Sequence, residues 1–381
     1  MQRTPETGAA LSVPVSPLDE LRLEVRAALV GWRQEGVFVP QCDGWCRGFS
    51  RELTRRLAER GWVGVTIPTE YGGGGRTGQE RYVIAEELLA AGAPVTAHWT
   101  AERQIVPMLL NVGTEAQRQR FLPMIARGEL TFAVGMSEPG SGSDLASVRT
   151  RAVRGDDGWR LSGQKIWSTV AQLADYMVVL CRTDGTSEDR QVGLSQMLVD
   201  LRAPGVDIRP IDAMNGEADF CEVFFDDVVI DDEDVVGHLG AGWKQVLAEL
   251  SFERSGPDRY MSTYPLVERF LAVAPMERPD VATAAGRLLA ELVAVRGLSM
   301  SALAAGGGDL GADAALCKDA GTGYEQGSIE TVRELMADCA VADAMLQTLL
   351  DDMVLTAPMI TLRGGTTEIL RGVTARRMSA G

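Results

Sequence analysis

The order of local patterns predicts an all-α N-terminal domain over residues 1–130, a small β-barrel or sandwich over 131–234, and a C-terminal four-helix bundle over 235–381. Three observations carry this. Apolar residues recur at helical spacing through the first third. Short runs rich in Val, Phe, Ile and Leu begin at Thr131. Helical spacing returns after Gly240-Ala-Gly242.

The first helix is read from Leu18, Leu21, Val25, Ala28, Leu29 and Trp32, which share one face. Residues 1–17 read as a loose leader. Phe49, Leu53 and Leu57 mark a second helix, with Gly61 as its stop. Thr77 and Glu80 form a capping box for a third over Tyr82–Ala91. After a helix through Ile105–Leu110, Thr114 and Gln117 repeat the device. The glycines Gly72–Gly75 exclude regular structure; they suit a flexible turn or close backbone approach to a ligand. Strands are predicted at Thr131–Met136, Trp159–Ile166, Tyr176–Cys181, Leu194–Asp200, Val206–Ile211 and Phe220–Phe225. In the last third, Trp243, Val246, Leu247 and Leu250 define a helix face. Further helices are expected over Ala284–Leu303, Ala314–Met336, Cys339–Leu349 and Thr367–Arg377, with a break at Gly306–Gly308.

Lys and Arg number 37 against 53 Asp and Glu, a net charge of −16 that disfavours binding to nucleic acid or an anionic membrane. No apolar run reaches membrane-spanning length, and the Pro-interrupted start lacks a signal-peptide core, so a cytoplasmic protein is expected. The six scattered cysteines read as reduced thiols. With only His98 and His238, a multi-histidine metal centre is excluded and no metal site is expected. No strand–GxGxxG–helix unit supports a Rossmann-type nucleotide site.

Two stretches could carry chemistry. Met136–Asp144 reads MSEPGSGSD. Pro139 removes an amide, and Gly140 and Gly142 permit turns closed to other residues. Ser137, Ser141, Ser143 and free amides could converge on an anion or a heteroaromatic edge, although the composition also fits a solvated hairpin loop. Lys165–Thr169 reads KIWST. In a strand, Trp167 and Thr169 share a face. That suits stacking on, and hydrogen bonding to, a planar cofactor, or an inward Trp with a Thr beside it.

Taken in order with Gly61–Gly75 (GWVGVTIPTEYGGGG), Glu222–Asp226 (EVFFD) and Gly364–Arg371 (GGTTEILR), these stretches resemble the acyl-CoA dehydrogenase family over nearly the whole chain. The resemblance implies FAD and α,β-desaturation of an acyl-CoA in β-oxidation. A carboxylate would take the α-proton, the β-hydride would pass to flavin N5, and electrons would go on to an electron-transferring flavoprotein. The expected assembly is a homotetramer, built as a dimer of dimers, or a heterotetramer. By the same resemblance, Met136, Ser137, Gly142, Ser143, Trp167, Thr169, Thr366 and Glu368 hold the cofactor. Ser143, Arg254, Arg363 and Gly364 line the substrate, and Arg371 ties its segment down.

The α-proton is weakly acidic, so the chemistry needs donors to the thioester oxygen and a carboxylate desolvated until its pKa rises. Many family members carry that base in a Tyr-Glu-Gly-Thr tetrad. This chain has Arg363-Gly364-Gly365-Thr366 there, and glycine accepts no proton. Members resembling isovaleryl-CoA dehydrogenase place the base on a helix of the C-terminal domain, just before an arginine. Phe252-Glu253-Arg254 matches that position, so Glu253 is the expected catalytic base. Arg363 adds a positive charge that would favour a polar or anionic acyl tail. Glu138, Glu222 and Asp226 read as caps or strand-edge residues, Asp144 as a cap and His238 as surface. The family's Arg-x-x-Phe-Gly run is missing around Met276–Arg287, and its Gln-x-x-Gly-Gly segment is degenerate at Asp338–Ala344. Two alternatives stay open: a flavin monooxygenase on the same scaffold, which needs no such base, and a catalytically degenerate subunit of a heterotetramer.

Overall fold

The computed structural model describes residues 16–304 and 310–380. The expected break at Gly306–Gly308 and nearly all of the expected leader lie outside the described residues. Helix α1 (Pro17–Gln34) opens on a capping box between Ser16 and Asp19 and buries Leu21, Val25, Leu29 and Trp32. Helices α2 (Arg51–Glu59), α3 (Gly78–Ala90), α4 (Thr96–Thr100), α5 (Val106–Val112) and α6 (Glu115–Ala126) follow. Thr77 with Glu80 and Thr114 with Gln117 form the capping boxes of α3 and α6. Between α4 and α5, Ala101–Ile105 winds as a π-helix, with all five residues buried. Such widened turns present side chains that regular helical spacing would separate.

The strands are β1 (Phe132–Gly135), β2 (Arg151–Gly155), β3 (Gly158–Thr169), β4 (Tyr176–Arg182), β5 (Leu194–Asp200), β6 (Val206–Ile211), β7 (Phe220–Ile230) and β8 (Val235–Val236). They form one sheet in the order β6-β7-β3-β2-β4-β5-β8, with β1 parallel to β4. One face buries Ala152, Leu161, Met177, Val199, Val223 and Phe225. The other face of β4 and β5 puts Val178 and Leu198 against Ile105, Phe121 and Leu122 of the N-terminal helices. Strand β2 escapes the periodicity reading because only Ala152 among its five residues is buried.

Helices α7 (Gly242–Ser255), α8 (Tyr264–Val273), α9 (Pro279–Ala304), α10 (Leu310–Cys339), α11 (Ala344–Ile360) and α12 (Thr367–Ala380) complete the chain. Leu266, Phe270, Val281, Ile329, Val332, Leu346 and Met353 make a core between α8, α9, α10 and α11. The helix expected at Cys339–Leu349 begins later, at Ala344. Ala340 takes a left-handed φ of 50°, and Asp343 then caps α11 through the Leu346 amide (2.8 Å). The architecture is that of the predicted class: N-terminal helices, a central β-sheet and a C-terminal helical bundle. Among the described residues, no helix is long and apolar enough to cross a membrane.

Candidate active site

Lys165 fixes one wall of the site. Its fully buried ammonium donates to the Met136 carbonyl (3.0 Å) and to Glu138 Oε1 (2.8 Å). Glu138 also accepts the amides of Arg149 (2.7 Å) and Thr150 (2.8 Å). The Ile166 amide donates to the Ser137 carbonyl at 3.0 Å. The serine-rich loop is therefore laced to β3, and Glu138 is a pin. Glu138 and Ser141 exchange backbone hydrogen bonds across Pro139-Gly140. Neither Gly140 nor Gly142 has a positive φ, so their freedom is not spent on a turn closed to other residues. A Cβ at either would meet no protein atom within 4 Å. The outer side of the loop is open, with Ser143 exposed and Met136 and Ser137 half-buried. Asp144 stands at the N-cap of the short turn Leu145–Ser147 without a side-chain cap; its carboxylate pairs instead with Arg190 at 2.5 and 2.9 Å.

Trp167 sits in a β-bulge, where three steps along β3, Lys165 to Ser168, oppose two along β7, Val223 to Cys221. Its φ is 63°, an outlier for so bulky a residue, and such strain clusters at functional sites. Trp167 is 58% exposed, and its indole meets the Phe220 ring edge-to-face, at 6.2 Å between ring centroids. Buried Ser168 lies between Trp167 and half-buried Thr169, so these two keep to one side of the strand. Helix α7 docks on the same region: Trp243, Val246 and Leu250 pack with Met136, Leu145, Val148 and Leu194. This packing sets the helix that carries Glu253 against the serine-rich loop.

Glu253 has a side chain only 13% exposed, and it is surrounded by cations. Arg259 Nη2 donates to its Oε1 at 2.8 Å, and Arg103 Nη2 stands 3.9 Å from the same oxygen. Among the described residues, Oε2 receives only the Gln104 side-chain amide, at 3.4 Å. Burial pushes the carboxyl pKa up, but Arg259, Arg103 and Arg254 together hold it below the ordinary carboxylate range. The expected rise toward neutrality is thus reversed, because three guanidinium groups converge on the carboxylate. Asp258 completes it, accepting Arg103 Nη1 at 2.6 Å. The rings and charges stack further: Arg103, Arg259 and Arg363 lie 4.9, 4.9 and 4.6 Å from the Trp45 ring centroid.

Gly364 lies directly beside Glu253. A Cβ built there would come 3.4 Å from Glu253 Oε1 and 3.0 Å from Arg259 Nη1. The carboxylate borne by α7 thus occupies the space into which a side chain at position 364 would project. Arg254 Nε donates to the Gly364 carbonyl at 2.9 Å, which ties this turn to α7. Arg363 departs from its expected role. Its guanidinium is spent on both Asp43 oxygens (2.7 and 2.6 Å), on Ser262 Oγ (2.8 Å) and on Glu325 (3.4 Å). No open charge remains there for an acyl tail. Thr366 is half-buried and its hydroxyl accepts the Ile369 amide (3.4 Å) at the start of α12, while Glu368 is exposed. Arg371 bonds Asp319 at 3.0 Å, and His238 is exposed.

Residues 24–129 match the family profile described as the acyl-CoA dehydrogenase N-terminal domain, and residues 133–228 match the middle domain. The chain is 36% identical over 336 residues to acyl-CoA dehydrogenase FadE34 of Mycobacterium tuberculosis, covering 84% of this chain and 45% of that protein. It is 33% identical to acyl-CoA dehydrogenase FadE29 of the same organism, covering 85% of this chain and 87% of that one. The chain spans about half the length of several curated relatives it matches, FadE34 among them. It superposes on a chain of the ChsE4-ChsE5 complex from Mycobacterium tuberculosis with a TM-score of 0.81, 27% identity, and coverage of 96% of this chain and 97% of that one.

Proposed function

The chain belongs to the acyl-CoA dehydrogenase family, and from that premise we propose that it desaturates an acyl-CoA thioester with Glu253 as the α-proton base. The observation that carries this reading is the meeting of Glu253 with Gly364. The residue that could have borne a base at position 364 bears none, and a carboxylate from α7 stands in its place.

The open loop suits the flavin. Gly140 and Gly142 face open space, and Trp167 is largely exposed two residues from Thr169. We assign Met136, Ser137, Gly142, Ser143, Trp167, Thr169, Thr366 and Glu368 to FAD. Bound FAD supplies the acceptor for the β-hydride at N5. Glu253 is ionised before substrate arrives, so it needs no activating base. Arg259 and Arg103 hold Oε1, which leaves Oε2 to take the α-proton. Entry of an apolar acyl group expels water from the carboxylate and raises its basicity at that moment. Arg254 positions Gly364 and with it the wall facing Glu253. Electron-transferring flavoprotein is the proposed electron acceptor, and a homotetramer the proposed assembly. The likeness to a chain of the ChsE4-ChsE5 complex favours a heterotetramer as the second arrangement.

The test is made on the purified chain with a panel of acyl-CoAs. A yellow protein that forms enoyl-CoA without consuming oxygen supports the reading. Oxygen consumption without enoyl-CoA identifies a monooxygenase. A colourless protein that gains FAD only with a second chain identifies a partner subunit.

A further inference from the structure

Three buried polar side chains on α7 and the strand beneath it carry unpaired atoms close to the proposed base. On α7, Gln245, Glu249 and Glu253 follow each other at i,i+4 and so share one face. Gln245 donates to the Val236 carbonyl at 2.9 Å. Val236 pairs across the sheet with Gln196, so Gln245 and Gln196 meet at the junction of α7, β5 and β8. Gln196 is fully buried, and Glu249 and Gln245 are 6% and 7% exposed. Four atoms of this group have no hydrogen-bond partner among the described residues: both amide atoms of Gln196, Gln245 Oε1 and Glu249 Oε1. The Gln196 amide lies close enough to lower the Glu249 pKa, yet the two do not reach hydrogen-bond geometry. Buried polar groups are nearly always paired, and four orphans in one place point to a polar occupant.

We propose that Gln196, Gln245 and Glu249 form a polar subsite of the acyl pocket, which takes a neutral ketone or hydroxyl oxygen carried by the acyl group several carbons beyond the thioester. The inference rests on Glu253 as the base. Side chains at i,i+4 stand about 5–6 Å apart, so the subsite lies that far along the acyl chain from the α-carbon. Chemistry selects a neutral oxygen. A carboxylate there would face Glu249 with Glu253 behind it. A ketone can accept from the Gln196 amide, and a hydroxyl can also donate to Gln245 Oε1. Burial, with the nearby charge of Glu253, pushes the Glu249 carboxyl up to about 7, so near neutrality it is a donor as well as an acceptor.

The test compares kcat/KM for heptanoyl-CoA and for its counterpart bearing a ketone on the penultimate carbon. Wild type is expected to prefer the ketone by about tenfold or more, because a site built to hydrogen-bond a group discriminates against the analogue lacking it. In Glu249→Leu and in Gln196→Leu the ratio falls toward one, while Glu249→Gln retains most of it. Using a ratio within one enzyme cancels general effects on folding. A wild-type ratio near or below one overturns the subsite, as does a ratio that both leucine variants leave unchanged, the result expected if ordered water fills the cluster. Failure of the base reading looks different: Glu253→Gln would turn over both thioesters at wild-type rates.

Discussion

Replacing Lys165 with methionine removes the pin beneath the serine-rich loop while nearly keeping its volume. The ammonium is fully buried, and its partner Glu138 has a side chain 8% exposed. Burial lowers the Lys165 pKa, and the Glu138 charge opposes that fall. In Lys165→Met the Glu138 carboxylate keeps its two amide donors, from Arg149 and Thr150, and loses the buried cation hydrogen-bonded to it. Breaking a buried pair from one side costs about 3–5 kcal/mol, much of it the uncompensated charge. In Glu138→Gln/Lys165→Met no charge is stranded, so the double variant is expected to cost less than the sum of the single ones, with a coupling of about 1–3 kcal/mol. Urea unfolding followed by circular dichroism and by tryptophan fluorescence gives the four stabilities. Flavin retention through gel filtration reads the same event at the loop, because the Met136 carbonyl loses its Lys165 donor. A single variant as stable as wild type, or losses that simply add, would refute the pinning role.

Glu249 gives a pH signature. Its folded pKa of about 7 lies above the ordinary 4.5, so its contribution is complete below pH 4.5 and falls as pH rises toward 7. The loss amounts to about 3 kcal/mol, and Glu249→Gln should be free of it. Denaturation at pH 5 and pH 8 should therefore show the variant gaining on wild type at the higher pH; a constant difference would contradict this. Gly364→Ala would force a side chain into a left-handed φ of 69°, 3.0 Å from Arg259 Nη1. A loss of about 1–2 kcal/mol is expected from the backbone alone, together with a fall in kcat as Glu253 is pushed. Wild-type melting and turnover would sink that prediction. Trp167→Gly should leave the melting temperature of flavin-free protein unchanged or raised, since glycine accepts the φ of 63°. Its FAD should be lost on gel filtration, and full retention would remove Trp167 from the cradle.

Local chemistry was legible in the sequence, and long-range pairing was not. The capping boxes of α3 and α6 depend on residues three positions apart, and the structure has both. The bulge at Trp167 was invisible, because it is set by register against β7. The π-helical turn at Ala101–Ile105 breaks the 3.6-residue period that finds helices, so Arg103 and Gln104 went unread. Glu253 was found from a motif, but its electrostatics depend on Arg103, whose other carboxylate partner, Asp258, lies 155 positions away. Arg259, six residues beyond Glu253, was the one available signal of the clamp. Arg363 looked like an open charge because its Asp43 partner is 320 positions distant. The Gln196 and Glu249 pair likewise joins a strand to a helix, and nothing local marks either residue.

Anaerobic flavin absorbance tests the central claim most directly, recorded as an acyl-CoA is mixed with wild type and with Glu253→Gln. Both proteins should hold FAD. The wild-type flavin band should bleach, and the variant should bleach about 10²–10⁴-fold more slowly, the usual share of a positioned base. Equal bleaching in both would show that some other group removes the α-proton.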